Sequence, residues 1–101
     1  MDRLEKEFNE DMLQIYIRAK KEIKYNATRF LQLVNEKGGL QAAKQLIAKE
    51  GGSDGFRVLW ENNRLDLSVE AHVIKPEYMP LFSKEEIDNC KRLLEKVKYN
   101  V

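Results

Sequence analysis

The chain has 101 residues, 43% of them hydrophobic and 9% aromatic, enough for one self-contained core of ordinary size. Eighteen Lys and Arg against seventeen Asp and Glu leave a formal net charge of +1, which argues against the one-signed field of a dedicated nucleic-acid or acidic-membrane binder. A single Cys allows no intramolecular disulfide, no apolar run approaches the ~18 residues of a membrane span, and the opening MDRLEKEFNED mixes charge signs where a secretory signal has a basic start and an apolar stretch, so the expected setting is cytoplasmic.

From Arg3 to Tyr25, apolar residues recur at 4, 8, 12, 15, 16, 19 and 23, a helical period held over the whole segment. Leu13 and Ile17 widen this arc to roughly 220° of the helical wheel. A helix so apolar is either wrapped on several sides by its own chain, or meets a second subunit or protein partner through Leu13 and Ile17. Asn26 is placed to cap a second helix from Ala27 to Lys37, with Ala27, Phe30, Leu31, Leu33 and Val34 inward and Gly38 ending it.

A third helix is expected from Leu40 to Lys49, burying Leu40, Ala43, Leu46 and Ile47 and stopping at Gly51 and Gly52. Ser53 or Asp54 then caps a short fourth helix on which Phe56, Leu59 and Trp60 share a face. Trp60 reads as a core anchor, with a half-exposed interface residue as the alternative.

Residues 65–73, LDLSVEAHV, alternate apolar and polar as a half-buried strand does. A lone strand would have no second strand to pair with, so the favoured reading is a short helix from Val69 to Ile74, capped by Ser68 and stopped before Pro76. Ser83 with Glu86 forms a capping box for a last helix whose Ile87, Cys90, Leu94 and Val97 face inward. The whole chain, 1–101, is thus expected to be one compact all-α domain of five or six helices, with a long first helix and short central ones.

Few chemistries fit. Zinc needs about four ligands and the chain has one Cys and one His, so no metal and no cofactor are expected. Cys90, on an inner stripe, reads as a small buried hydrophobe rather than a reactive thiol. Ser53, Ser68 and Ser83 are explained as helix caps, the Gly-Gly pairs as turns, and no nucleophile elbow or phosphate-binding Gly loop is present. His72 reads as a hydrogen-bonded structural histidine.

The polar residues Glu61, Arg64, Asp66 and Glu70 crowd into ten positions. Arg57 and Glu61 form a solvated pair one helical turn apart, and Arg64 with Asp66 is expected to tie a loop. The same four, with Leu13 and Ile17, are the candidate partner-binding residues. A small enzyme using residues 61–72 as acid and base is a further alternative, but no catalytic residue can be named.

Residues 27–49 also read as helix, Gly-Gly turn, helix, a pattern shared with DNA-binding proteins. In that alternative Gln41, Lys44, Gln45 and Lys49 face the bases, and Lys20, Lys21, Lys24 and Arg29 hold phosphates. Basic residues near helix C-termini are expected on dipole grounds alone.

The segments YNATRFLQLV, DGFRVLWENNRLDLSVEA and PEYMPLFSKEEI together resemble a family of small bacterial proteins and domains of about this length. The likeness runs from the first helix to the last. It implies a bacterial or phage origin and a self-contained unit, and it brings no activity and no catalytic residue. The expected function is therefore a non-catalytic protein-interaction or accessory module, acting on a protein partner or a second copy of itself.

Overall fold

The computed structural model describes residues 3–49, 51–53 and 55–99. Among these there are six α-helices, two short 3-10 turns and no strand. They are α1 (Arg3–Ile23), α2 (Thr28–Lys37), α3 (Gly39–Ile47), α4 (Phe56–Glu61), α5 (Val69–Val73) and α6 (Lys84–Lys96), with 3-10 turns at Leu65–Leu67 and Met79–Leu81. The all-α expectation holds.

The first helix buries Phe8, Met12, Ile15 and Ala19, four residues at alternating steps of four and three. It stops two residues before the expected Tyr25, because Lys24 takes a left-handed φ of 59° and the Tyr25 N–H turns back to the Ala19 carbonyl. Asn26 does not cap α2. Its side-chain oxygen accepts from the Tyr16 hydroxyl instead, and α2 begins at Thr28 behind Ala27 with no side-chain cap.

Gly38 ends α2 and opens α3 in one residue: at φ 84° its N–H reaches the Val34 carbonyl while its own carbonyl accepts from Ala42. Gly39 then begins α3 one residue earlier than expected. Its N–H donates to Asn9 Oδ1 at 2.6 Å, and a Cβ there would stand 2.7 Å from the Asn9 backbone. The corner between α2 and α3 is therefore seated directly on α1. From that seat α3 packs against α1, α2, α5 and α6 and buries Ala42, Ala43, Leu46 and Ile47.

The 65–73 stretch is helical. Leu65–Leu67 makes one 3-10 turn, Ser68 Oγ donates to the Leu65 carbonyl and accepts from the Ala71 N–H, and α5 runs one residue short of the expected Ile74. All five residues of α5 are buried. The polar members of the alternation part ways: Asp66 is exposed, whereas Ser68, Glu70 and His72 are buried. The capping box of α6 forms as expected, with Ser83 Oγ accepting from the Glu86 N–H and Glu86 accepting from the Ser83 N–H.

The core has two parts. One gathers α1, α3, α5 and the Tyr78–Phe82 region around Phe8, whose ring meets Tyr78 and Phe82 edge-on at 5.0 and 5.4 Å. Burying a side chain of that size contributes roughly 2–3 kcal/mol, with about 1 kcal/mol more for each aromatic contact. The other gathers Ala19, Phe56, Leu59, Leu65, Leu67 and Leu94. Cys90 sits in the first part, and burial pushes its thiol up to about 12, so it is a packed hydrophobe.

Candidate functional site

The polar residues that crowd together in sequence are separated in space. Arg64 turns back to α1: its guanidinium donates to Glu22 and, through Nε and Nη2, to both oxygens of Asp66 at 3.0 and 3.2 Å. Glu22 also accepts from Arg18 at 2.9 Å. Hydrogen bonds from Arg64, then Arg18, hold the Glu22 carboxyl below the usual carboxylate range, and Arg64 does the same for Asp66. Arg64 is in turn held more firmly protonated, mainly by Asp66. Carboxylates kept ionised by a fixed cation make a tie between α1 and the start of the 3-10 turn, and poor proton donors.

Glu61 belongs to a different surface. It faces Arg57 at 3.8 Å, both side chains more than half exposed, as a helical pair open to water. Glu70 is withdrawn from the surface altogether, with 1% of its area exposed, which corrects its place among the partner-binding candidates. Its carboxylate accepts from the Ser53 N–H at 2.6 Å and the Ser53 hydroxyl at 2.9 Å. Ser53 is thus an anchor for the 51–53 turn, and the cap of α4 falls instead to Gly55, without a side-chain bond. The alternative cap, Asp54, lies outside the described residues.

Burial raises the Glu70 carboxyl, only partly offset by the Ser53 bonds. Gly52 is required here, since at φ 96° a Cβ would stand 2.5 Å from Leu93 and 3.2 Å from the Glu70 carboxylate. His72, two residues on, points away from Glu70 around the helix and has its own partner, the Ser68 carbonyl, 2.8 Å from Nδ1. Burial lowers its pKa, so the ring is neutral at pH 7. Residues 61–72 therefore form four separate arrangements, with no acid and base facing one space.

The apolar candidates divide as well. Leu13 is half-buried and packs against the larger core. Ile17 is 49% exposed and Trp60 51% exposed, the two large hydrophobic side chains left open among the described residues. Trp60 is consequently no core anchor: Phe56 and Leu59 suffice to seat the six-residue α4, and the indole projects beyond the packed face.

Of the residues of the helix-turn-helix reading, Arg29, Gln45 and Lys49 come to one cavity and Gln41, Lys44 and Gln45 to a second depression. Lys44 is half-buried, ion-paired with Glu86 at 2.9 Å and 5.1 Å from the centre of the Phe82 ring. Gln41 and Gln45 are exposed on the open stripe of α3, and Lys49, beyond the end of that helix, is exposed as well. Lys20, Lys21, Lys24 and Arg29 are exposed, and Lys20 lies 6.0 Å from the Tyr16 ring centre.

A cavity of about 410 Å³ opens where α1, the 24–27 turn, α2, α3 and α4 come together. Its wall includes six consecutive residues, Tyr25 to Phe30. Sequence reasoning did not find it, because its floor is supplied by residues far apart in the chain. The one local sign was the segment YNATRF, aromatic at both ends with polar residues between them.

Comparison with protein-family models, with curated proteins and with solved structures finds no match.

Proposed function

We propose that the chain is a non-catalytic protein-interaction module whose contact surface centres on Trp60 of α4, with Ile17 of α1 as a second apolar contact. The observation that carries this reading is the half-exposed indole. An aromatic anchor ringed by charged residues is the anatomy of an interface centre with its polar rim, and here Arg57 and Glu61 stand beside Trp60 on the same short helix. Trp and Arg are the residue types in which contact energy concentrates. A reducing bacterial or phage cytoplasm is the setting we infer, from the single buried Cys90 and the family resemblance of the sequence.

Nucleic-acid binding has less support. Lys44, central to that reading, is engaged by Glu86 and Phe82, and four other helices pack against α3. An acid-base enzyme at residues 61–72 has less still, since its carboxylates have separate partners.

Light scattering behind size exclusion, over a protein concentration series and with a mixed-sequence duplex as control, tests the reading. Self-association that Trp60→Ser or Ile17→Ser abolishes identifies a second copy as the partner. A wild-type monomer must instead retain a protein that the two variants do not. A monomer that shifts only with duplex at low salt overturns the interaction reading in favour of the basic residues.

A further inference from the structure

The cavity at residues 25–30 is independent of the Trp60 surface, and its chemistry is more restrictive. It straddles the two parts of the core: Ile15 and Leu46 come from one, Ala19 and Leu59 from the other. The cavity opens to the surface and has a volume of about 410 Å³. It falls within the roughly 300–1,000 Å³ of pockets that hold small organic molecules.

The polarity of the lining selects the class of occupant. The floor is aliphatic, and the aromatic rings of Tyr25 and Phe30 stand in the wall. The charged residues among the described lining are Arg29 and Lys49, and Lys49 already has an interaction of its own. Arg29 makes no ion pair among the described residues, so its guanidinium keeps its full capacity for a bidentate carboxylate.

The wall is also fixed in place. The Tyr16 hydroxyl holds Asn26 at 2.7 Å, and the Tyr25 ring lies so close to Gly55 that a Cβ there would stand 3.1 Å from it. A braced wall with an apolar floor and Arg29 at its lip lowers the ordering cost that an occupant would have to meet.

We propose that this cavity binds a small organic carboxylate: an apolar body lies on the floor between Ala19, Leu46 and Leu59, and the carboxylate pairs with Arg29. The amphipathic segment Tyr25 to Phe30 is then the recognition segment of the chain, reading the apolar body with its rings and the head group with its guanidinium.

Amide-resolved NMR titration with octanoate, octanol and octylammonium tests this directly, because the three probes share a tail and differ in head charge. Octanoate is expected to move the amides of residues 25–30 and to bind more tightly than octanol, with octylammonium weakest. Arg29→Glu lies on an exposed position and keeps the fold; it should weaken octanoate about tenfold, the size of one lost charge-assisted bond, and reverse the preference between octanoate and octylammonium. Ala27→Phe, placed on the wall outside the helix interior, should block all three probes while its spectrum stays dispersed. Octanoate that leaves residues 25–30 unmoved, binds no better than octanol, or is indifferent to Arg29→Glu overturns the proposal. Shifts confined to Ile17 and Trp60 would overturn it too, and would leave the interaction reading untouched.

Discussion

Helices α4 and α5 begin only thirteen residues apart, at Phe56 and Val69, and treat their side chains in opposite ways. The five residues of α5 are all buried, Glu70 and His72 among them, and each polar group there has a partner inside the protein. Of the six residues of α4, Arg57, Trp60 and Glu61 face water. The residues that look chemical, a glutamate and a histidine on one short helix, hold the fold together. The residue that looks like core, a tryptophan, is on the surface. Side-chain type alone would assign the two helices the wrong way round; burial and partners assign them correctly.

The largest effects should come from breaking α5. Glu70→Ala leaves the Ser53 N–H and hydroxyl without their acceptor in a buried place, and should cost about 2–4 kcal/mol by denaturant unfolding. Ser68→Ala removes a cap that both donates and accepts, and should cost about 1–2 kcal/mol, whereas the N-cap of α4 is Gly55, with no side chain to lose.

The charge on Glu70 gives a finer comparison. Its carboxyl is raised by burial, so the folded state favours the protonated form. The stability this contributes is present below the unfolded carboxyl value of 4.5 and is lost as pH rises through the higher folded value. Asp66 and Glu22, held low by Arg64, have the opposite sign: their contribution is present above the unfolded value and is lost as pH falls through the folded one. Glu70→Gln mimics the protonated acid and should lose the decline on the alkaline side while keeping the acid-side loss. Unfolding curves of the two proteins across pH check this by difference, which also cancels the contribution of His72.

Substitutions on α4 should be nearly silent for folding. Trp60→Ser should change stability by no more than about 0.5 kcal/mol while removing the partner contact, a split between stability and binding that α5 variants cannot show. Glu61→Ala, which breaks an exposed pair, should cost about 0.3 kcal/mol at most, and less in high salt.

The fold was largely legible in the sequence, because the signals that specify it are local. The Phe8, Met12, Ile15, Ala19 stripe, the Ser83 and Glu86 box, the Ser68 cap and the inward Cys90 each depend on residues within a few turns of one another. What sequence reasoning missed was non-local. Glu22 meets Arg64 across 42 positions, Ser53 meets Glu70 across 17, and Asn9 meets Gly39 across 30. Ser53 and Asn26 were read as caps because both types cap helices well; each was drawn instead to a stronger or nearer partner. Trp60 was misplaced because helical spacing says which residues share a face and not how far the face is covered. Ile17 and Glu61 were candidates in the sequence and a half-exposed Trp60 its alternative reading, while the cavity beside Tyr25 required the assembled chain.

Trp60 is the single tryptophan of the chain, so its fluorescence reports on one side chain without labelling. The most direct test is the emission and acrylamide quenching of the dilute protein, followed as concentration is raised or partner is added. An interaction centre predicts the red-shifted, freely quenched emission of a solvated indole in the dilute chain, moving to the blue and becoming protected on association. Blue-shifted emission that resists quenching in the dilute monomer would contradict the account, because Trp60 would then be core and the surface proposed for a partner would not exist.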